Sequence, residues 1–255
     1  MKEELWRMVK LFLLWCLLYS VAIIGIILGK RILKNDEIMN WTILLGFVLI
    51  AIVFFGKSYV KLSFGCIERR MIWPVIGMSV LVAASYLFFE VSFYTLIDID
   101  HLFPKESKEL REVDQHIFGI AGILSLCIFG PIAEEICVRG ILLDGLLKMR
   151  CRPWIAILIT ALAFSLAHGY AVKLVGSLLF GIIVGWLYWR TGSIIPCLII
   201  HIVNNSLTCI IHLISQPINT VLILIVCLLS LSYGLWWFWK KFNFADEFNQ
   251  TIKYK

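Results

Sequence analysis

The chain predicts an all-α fold, a polytopic transmembrane helical bundle of about eight spans with both termini in the cytoplasm. Three observations predict it. Hydrophobic residues make up 61% of the 255 and charged residues only 16%, with a mean hydropathy of +0.91. A water-soluble chain of this size cannot bury so much apolar surface. The apolar residues come in long uncharged runs, most of them near the ~20 residues that a helix needs to cross about 30 Å of hydrocarbon. Strands of a membrane barrel would be about half that length and would alternate apolar with polar residues, which these do not. Finally, Lys and Arg favour the side holding both termini by about two to one, the bias expected of cytoplasmic loops. A soluble domain, a disordered chain and a nucleic-acid binder are excluded, and the formal charge of +6 reports topology.

The runs are, in order, 11–29, 41–56, 71–89, 117–147, 154–167, 174–189, 194–214 and 218–239. The first follows Lys2, Arg7 and Lys10 and ends at Lys30-Arg31 without a small-residue cleavage pattern, so it reads as a retained signal anchor. Trp73, Trp154, Trp189, Trp236, Trp237 and Trp239 all fall near the basic side, as an interfacial aromatic belt does. The longest hydrophilic stretch, 98–115, carries six acids against Lys105, Lys108 and Arg111. Its spacing predicts a short exposed helix after Pro104, read as a solvated connector with a substrate gate as the second reading. His101 and His116 belong to that connector, while Glu90 and His212 read as interfacial residues. The eight cysteines are scattered without ligand spacing and serve as small apolar filler.

The fourth run is anomalous. Its 31 residues would make a helix about 46 Å long. It contains Gly130-Pro131 and the charged residues Glu134, Glu135 and Arg139. Charges inside a bilayer cost about 2.5–3.5 kcal/mol each on the insertion scale and need a reason. Glu135 and Arg139 are four apart and pair on one helix face, which leaves Glu134 without an intrahelical basic partner. Gly130-Pro131 is expected to break or kink the chain just before them. Two further polar sets follow: His168 in Phe-Ser-Leu-Ala-His, and His201 with Asn205 in His-Ile-Val-Asn-Asn.

Depth relates these sets. Glu134 lies 16 residues before Arg150 and His168 lies 16 after Arg152, both about 24 Å from the turn if helical. His201 and Asn205 lie 11 and 15 residues beyond Arg190, about 16 and 22 Å deep. All four are expected in one layer of the membrane. A carboxylate and an imidazole sharing a water form a general-base pair. His201 and Asn205 can donate to a developing oxyanion. The reaction class is then amide hydrolysis within the membrane. There is no Gly-x-Ser-x-Gly elbow, no His-Glu-x-x-His and no intramembrane Asp pair. No metal or other cofactor is expected. Zinc held by Glu134, His168 and His201 stands as the alternative, since two His and a carboxylate leave an open position.

Glu134-Glu135-x-x-x-Arg139, Phe164-x-x-x-His168 and His201-x-x-x-Asn205 match, in order and spacing, the motifs of the CAAX-protease and bacteriocin-processing (CPBP, Abi-type) intramembrane proteases. The chain resembles that family over roughly 117–210, where Gly181 and Gly185 also look like its small-residue packing stripe. The resemblance implies that Glu134 and His168 activate water, that His201 and Asn205 stabilise the oxyanion, and that Glu135 and Arg139 support them. With the span pattern, this divides the chain into three regions: N-terminal spans and connector (1–116), a catalytic core of that family's type (117–214), and a last span with a basic cytoplasmic tail (215–255). The expected partners are a peptide or membrane-protein substrate and the lipid bilayer, in a bacterial plasma membrane; oligomeric state is undetermined. Two other readings stay open: a non-catalytic bacteriocin self-immunity protein, and a small transporter relaying protons.

Overall fold

The structure, a computed structural model, describes residues 1–60, 67–116, 119–213 and 220–242, with side chains in 111–116, 211–213 and 220 outside the description. Cys66, the side chains of His116 and His212, and the basic tail beyond 242 therefore lie outside the described residues. Among the described residues there are helices and no strands. We number them α1 (Lys2–Leu33), α2 (Asp36–Gly56), α3 (Ile72–Leu96), α4 (Ile99–Leu102), α5 (Pro104–His116), α6 (Gly119–Lys148), α7 (Pro153–Ala167), α8 (Ala171–Thr191), α9 (Ile195–Leu213) and α10 (Thr220–Lys241). Six of these are long and apolar enough to cross a membrane, and α7 and α9 are shorter apolar helices. The 15 residues of α7 make about 22 Å, so its C-terminal end, where His168 sits, falls short of a full hydrocarbon thickness. The chain is thus an all-α, multi-pass membrane protein.

The described residues group into two compact units. One comprises 1–62 and 108–151, the other 63–107 and 152–255. In the first, α1 and α2 form an antiparallel pair. Asn35 opens α2 by accepting from the Glu37 and Ile38 amides at 3.0 and 3.1 Å, and Asp36 and Glu37 complement the helix dipole there. Close approach depends on small residues: a Cβ at Gly46 would lie 2.9 Å from the Ala22 amide nitrogen, and one at Gly29 would lie 2.7 Å from the Met39 backbone. Helix α6 lies against this pair. The Trp15 indole donates to the Ala133 carbonyl at 2.9 Å, and the Arg7 guanidinium lies 3.9 Å from the Asp144 carboxylate.

Of the break or kink expected at Gly130-Pro131, the break does not occur. Helical dihedrals continue through Gly130, and Pro131 stands in the first turn of the segment Gly130–Glu135. Pro131 has no N–H to donate and its ring crowds the carbonyl four residues back. The preceding turn, Ser125–Phe129, widens instead to π geometry, and the Gly130 amide reaches the Ser125 carbonyl five residues back. Residue 130 must be glycine for that, because a Cβ would sit 2.6 Å from the Ser125 oxygen. A second π stretch, Ile136–Leu143, carries Arg139.

In the second unit α3 packs on α9 and α10, and Ser85 of α3 shares a 2.8 Å hydrogen bond with Ser230 of α10. Helices α7 and α8 are antiparallel along a small-residue seam. Gly185 faces Ile157, Gly181 faces Ala161, and the Ser177 hydroxyl donates to Ser165 at 2.9 Å. The residue numbers of each pair have the same sum, so the register is continuous, and the Gly181/Gly185 stripe is a packing stripe as expected. A Cβ at Gly181 would lie 2.9 Å from the Ala161 Cα, a backbone contact that only separation of the helices relieves. Gly181→Ala is therefore expected to destabilise the protein by about 1–3 kcal/mol, read as a lowered midpoint of thermal unfolding in detergent micelles. An unchanged midpoint would contradict the seam. Trp189, assigned to the aromatic belt from sequence, is instead buried and packed on Trp154 with ring centroids 5.7 Å apart.

Candidate active site

The candidate glutamates belong to the first unit. Glu135 and Arg139 are both fully buried, at 0% exposure, and the Arg139 Nη1 donates to Glu135 Oε1 at 2.8 Å. That is the i, i+4 pair the spacing predicts. Its burial makes the pair obligatory, because either charge alone in this environment carries an uncompensated desolvation cost. Glu134, the adjacent residue, faces a different direction and is half-buried. Successive positions on a helix point about 100° apart, so one carboxylate is locked into the core while its neighbour retains access.

The sequence reading did not identify the supports of Glu134 from α1. Tyr19 lies within electrostatic reach of Glu134. Its ring stacks on Trp15 at 4.6 Å and packs on Phe47 of α2 at 5.8 Å. Trp15 in turn binds the carbonyl of Ala133, immediately before Glu134. The available signal was the i, i+4 spacing of Trp15 and Tyr19, a pattern also common in simple packing stripes.

The candidate histidines belong to the second unit. His168 caps the end of α7, where Gly169 takes a left-handed φ of 72° and turns the chain towards α8. His168 Nδ1 is 2.8 Å from the Phe164 carbonyl. A carbonyl oxygen only accepts, so Nδ1 carries a proton, and in the neutral ring Nε2 presents a lone pair. The Phe164-x-x-x-His168 spacing thus fixes a tautomer suited to a base. The Phe164 ring lies edge-on to both His168 and His201, with centroids at 4.7 and 5.8 Å, and Phe180 of α8 packs on His201 at 4.9 Å. These aromatic walls bury His201 to 4% exposure. One turn along α9, Asn205 is half-buried. The two histidines, predicted from separate motifs, therefore share Phe164 as a common wall.

Glu90 has partners that the sequence reading did not foresee. Read as interfacial from its place in the sequence, it packs against α8, on one face of α3 with Tyr86 and Tyr94. A Cβ at Gly176 would run into the Glu90 carboxylate and would lie 2.5 Å from the Tyr94 hydroxyl. Tyr94 accepts from the Gly176 amide at 2.9 Å and Tyr86 donates to the Gly176 carbonyl at 2.5 Å, so the absent side chain admits three polar groups to one stretch of backbone. Lys173 lies within electrostatic reach of Glu90. The connector is also more than solvated. Its helix α5 forms after Pro104 as predicted, and Glu106 of its first turn accepts from the Val172 amide at 3.1 Å, capping α8 next to the turn that follows His168. His101 is exposed, in keeping with a connector residue.

Among the described residues no group of three or more His, Cys, Asp or Glu is arranged to hold a metal ion.

Fold and polar residues together define a multi-pass helical membrane protein with paired carboxylates and histidines in its apolar helices. Residues 116–207 match the Rce1-like family, described as type II CAAX prenyl endopeptidase Rce1-like, in agreement with the family resemblance that the three motifs carry. Over this segment the chain is similar to the CAAX protease family of peptidases. No curated protein and no solved structure matches the chain.

Proposed function

We propose that the chain is an intramembrane glutamic-type endopeptidase that hydrolyses a peptide bond of a membrane-associated peptide or protein. One observation carries the reading: the segment that matches the type II CAAX endopeptidases, 116–207, encloses Glu134, His168, His201 and Asn205. In the proposed mechanism Glu134 and His168 share one water. Glu134 takes a proton as the water oxygen attacks the scissile carbonyl carbon, while the neutral Nε2 of His168 accepts a hydrogen bond from the same water. His201 and Asn205 donate to the oxyanion as the carbonyl becomes tetrahedral, a contribution often worth 10²–10³ in rate per donor. The C–N bond then breaks as the proton held by the Glu134 carboxyl passes to the leaving nitrogen; an amine and a carboxylic acid leave, and the acid then gives its own proton to solvent. The Glu135–Arg139 pair keeps Glu134 in register without touching substrate.

The proposed setting is a bacterial plasma membrane with both termini in the cytoplasm. Peptide pheromones, bacteriocin precursors and tethered proteins are substrates of the right chemistry. The test is cleavage by the full-length protein in liposomes. Membrane-anchored reporter peptides, prenylated and unprenylated, are offered, and products are identified by mass spectrometry. The expected result is one new carboxyl and one new amino terminus within the anchored segment, at a rate unchanged by a zinc chelator. A chelator-abolished rate would establish the zinc version, and pH-gradient-driven uptake without cleavage would establish a proton-coupled transporter.

A further inference from the structure

At the basic end of the second unit, helices α7, α8 and α10 enclose an open groove of ≈ 360 Å³, lined by Trp154, Trp186, Trp236 and Trp239 together with aliphatic side chains such as Ile183 and Leu235. Its walls are apolar almost without exception, and its volume falls in the range of small-ligand sites, about 300–1,000 Å³. The walls are held in place from behind. Trp186 and Trp239 stack nearly parallel, with centroids 6.4 Å apart and planes 6° apart. The Arg190 guanidinium lies 4.3 Å from the Trp239 ring centre and donates to the Trp239 carbonyl at 2.6 Å. A groove fixed in this way loses little conformational freedom when filled.

The rim is basic. The Lys240 ammonium sits 5.1 Å from the Trp236 ring centre. Lys241 and Arg152, which follow Trp239 and precede Trp154 closely in the chain, are exposed. No acidic residue occurs in 152–160, 182–194 or 230–242. A groove that is apolar within and cationic at its edge matches a molecule with a hydrocarbon tail and a negative head. A peptide would leave its backbone groups unsatisfied against walls without hydrogen-bonding partners. A zwitterionic headgroup would bring its own cation among the lysines.

We propose that this groove is a binding site for an anionic phospholipid, with one acyl chain packed between Trp186 and Trp236 and the phosphate at Lys240, Lys241 and Arg152. The site is independent of the peptidase chemistry. Tryptophans suit it because each ring is apolar in body and tolerates the wet boundary at its N–H edge, and basic pockets between transmembrane helices are known acceptors of acidic headgroups.

The test is native mass spectrometry of the full-length protein in detergent, titrated in parallel with phosphatidylglycerol and phosphatidylcholine. The wild type is expected to retain one phosphatidylglycerol at least tenfold more strongly than phosphatidylcholine. K240Q/K241Q is expected to lower that preference about tenfold, and Trp236→Ala to weaken retention of both lipids. Both variants alter exposed side chains, and an unchanged unfolding midpoint without added lipid verifies their fold. Equal retention of the two lipids by the wild type would overturn the proposal, as would a preference that survives K240Q/K241Q. Displacement of the bound lipid by a farnesylated peptide at equal concentration would also overturn it, by making the groove a substrate site.

Discussion

Glu134→Gln is expected to lower the cleavage rate by about 10³–10⁴-fold while leaving the unfolding midpoint within a degree or two of wild type. The rate loss follows from removing the general base, a role typically worth 10²–10⁴, at a site where no other group is proposed to take the proton. Stability should survive because Glu134 is half-buried and glutamine has nearly the same shape. The adjacent carboxylate provides the contrast. Glu135→Gln removes the buried partner of Arg139 and is expected to lower the midpoint, so neighbouring substitutions of identical chemistry should fail in different assays. Measuring both rate and midpoint for each variant checks the assignment. Full activity in a folded Glu134→Gln protein would end the proposed mechanism.

Arg139→Met should have the largest effect on stability. It leaves the Glu135 carboxylate at 0% exposure without its cation, and breaking a buried pair in this way costs about 3–5 kcal/mol. The double variant E135Q/R139M removes both charges, and it is expected to recover most of that loss because an apolar or neutral replacement of a buried pair is often nearly neutral. The comparison is a double-mutant cycle read by unfolding in micelles. If the double variant unfolds as easily as Arg139→Met, the pair does not hold α6 through mutual neutralisation, and the loss comes from the volume and shape of the arginine alone.

Some of the packing around the candidate residues was legible because intramembrane charges are costly and therefore conspicuous. Glu135 and Arg139 had to pair because they lie one helical turn apart, and the pair is present at 2.8 Å. The Phe164-x-x-x-His168 spacing reached further than expected, since the carbonyl of Phe164 fixes the histidine tautomer and its ring walls both histidines. What the sequence did not show has a common origin. Glu90 was assigned to the interface from its position along α3, but a residue's depth does not reveal what covers it. Gly176, 86 positions later, makes the space. Similarly, Pro131 forecast a break or kink because proline removes a hydrogen bond, and the form this took, a turn widened by one residue with the Gly130 amide on the Ser125 carbonyl, depended on the glycine beside it.

By itself the sequence determined the class of the protein: all-α, multi-pass, with carboxylates and histidines in a few apolar helices. Composition and periodicity suffice for that, because the hydrocarbon layer admits little else than helices of a given length and expels unpaired charge. The tertiary structure decided which of two adjacent glutamates is sealed and which is accessible. It decided that Trp15 and Tyr19 brace the accessible one, and that four tryptophans close on a groove with a basic rim. Those outcomes depend on contacts between residues tens to more than a hundred positions apart, and the local pattern that sets a helix face does not encode which surface that face will meet.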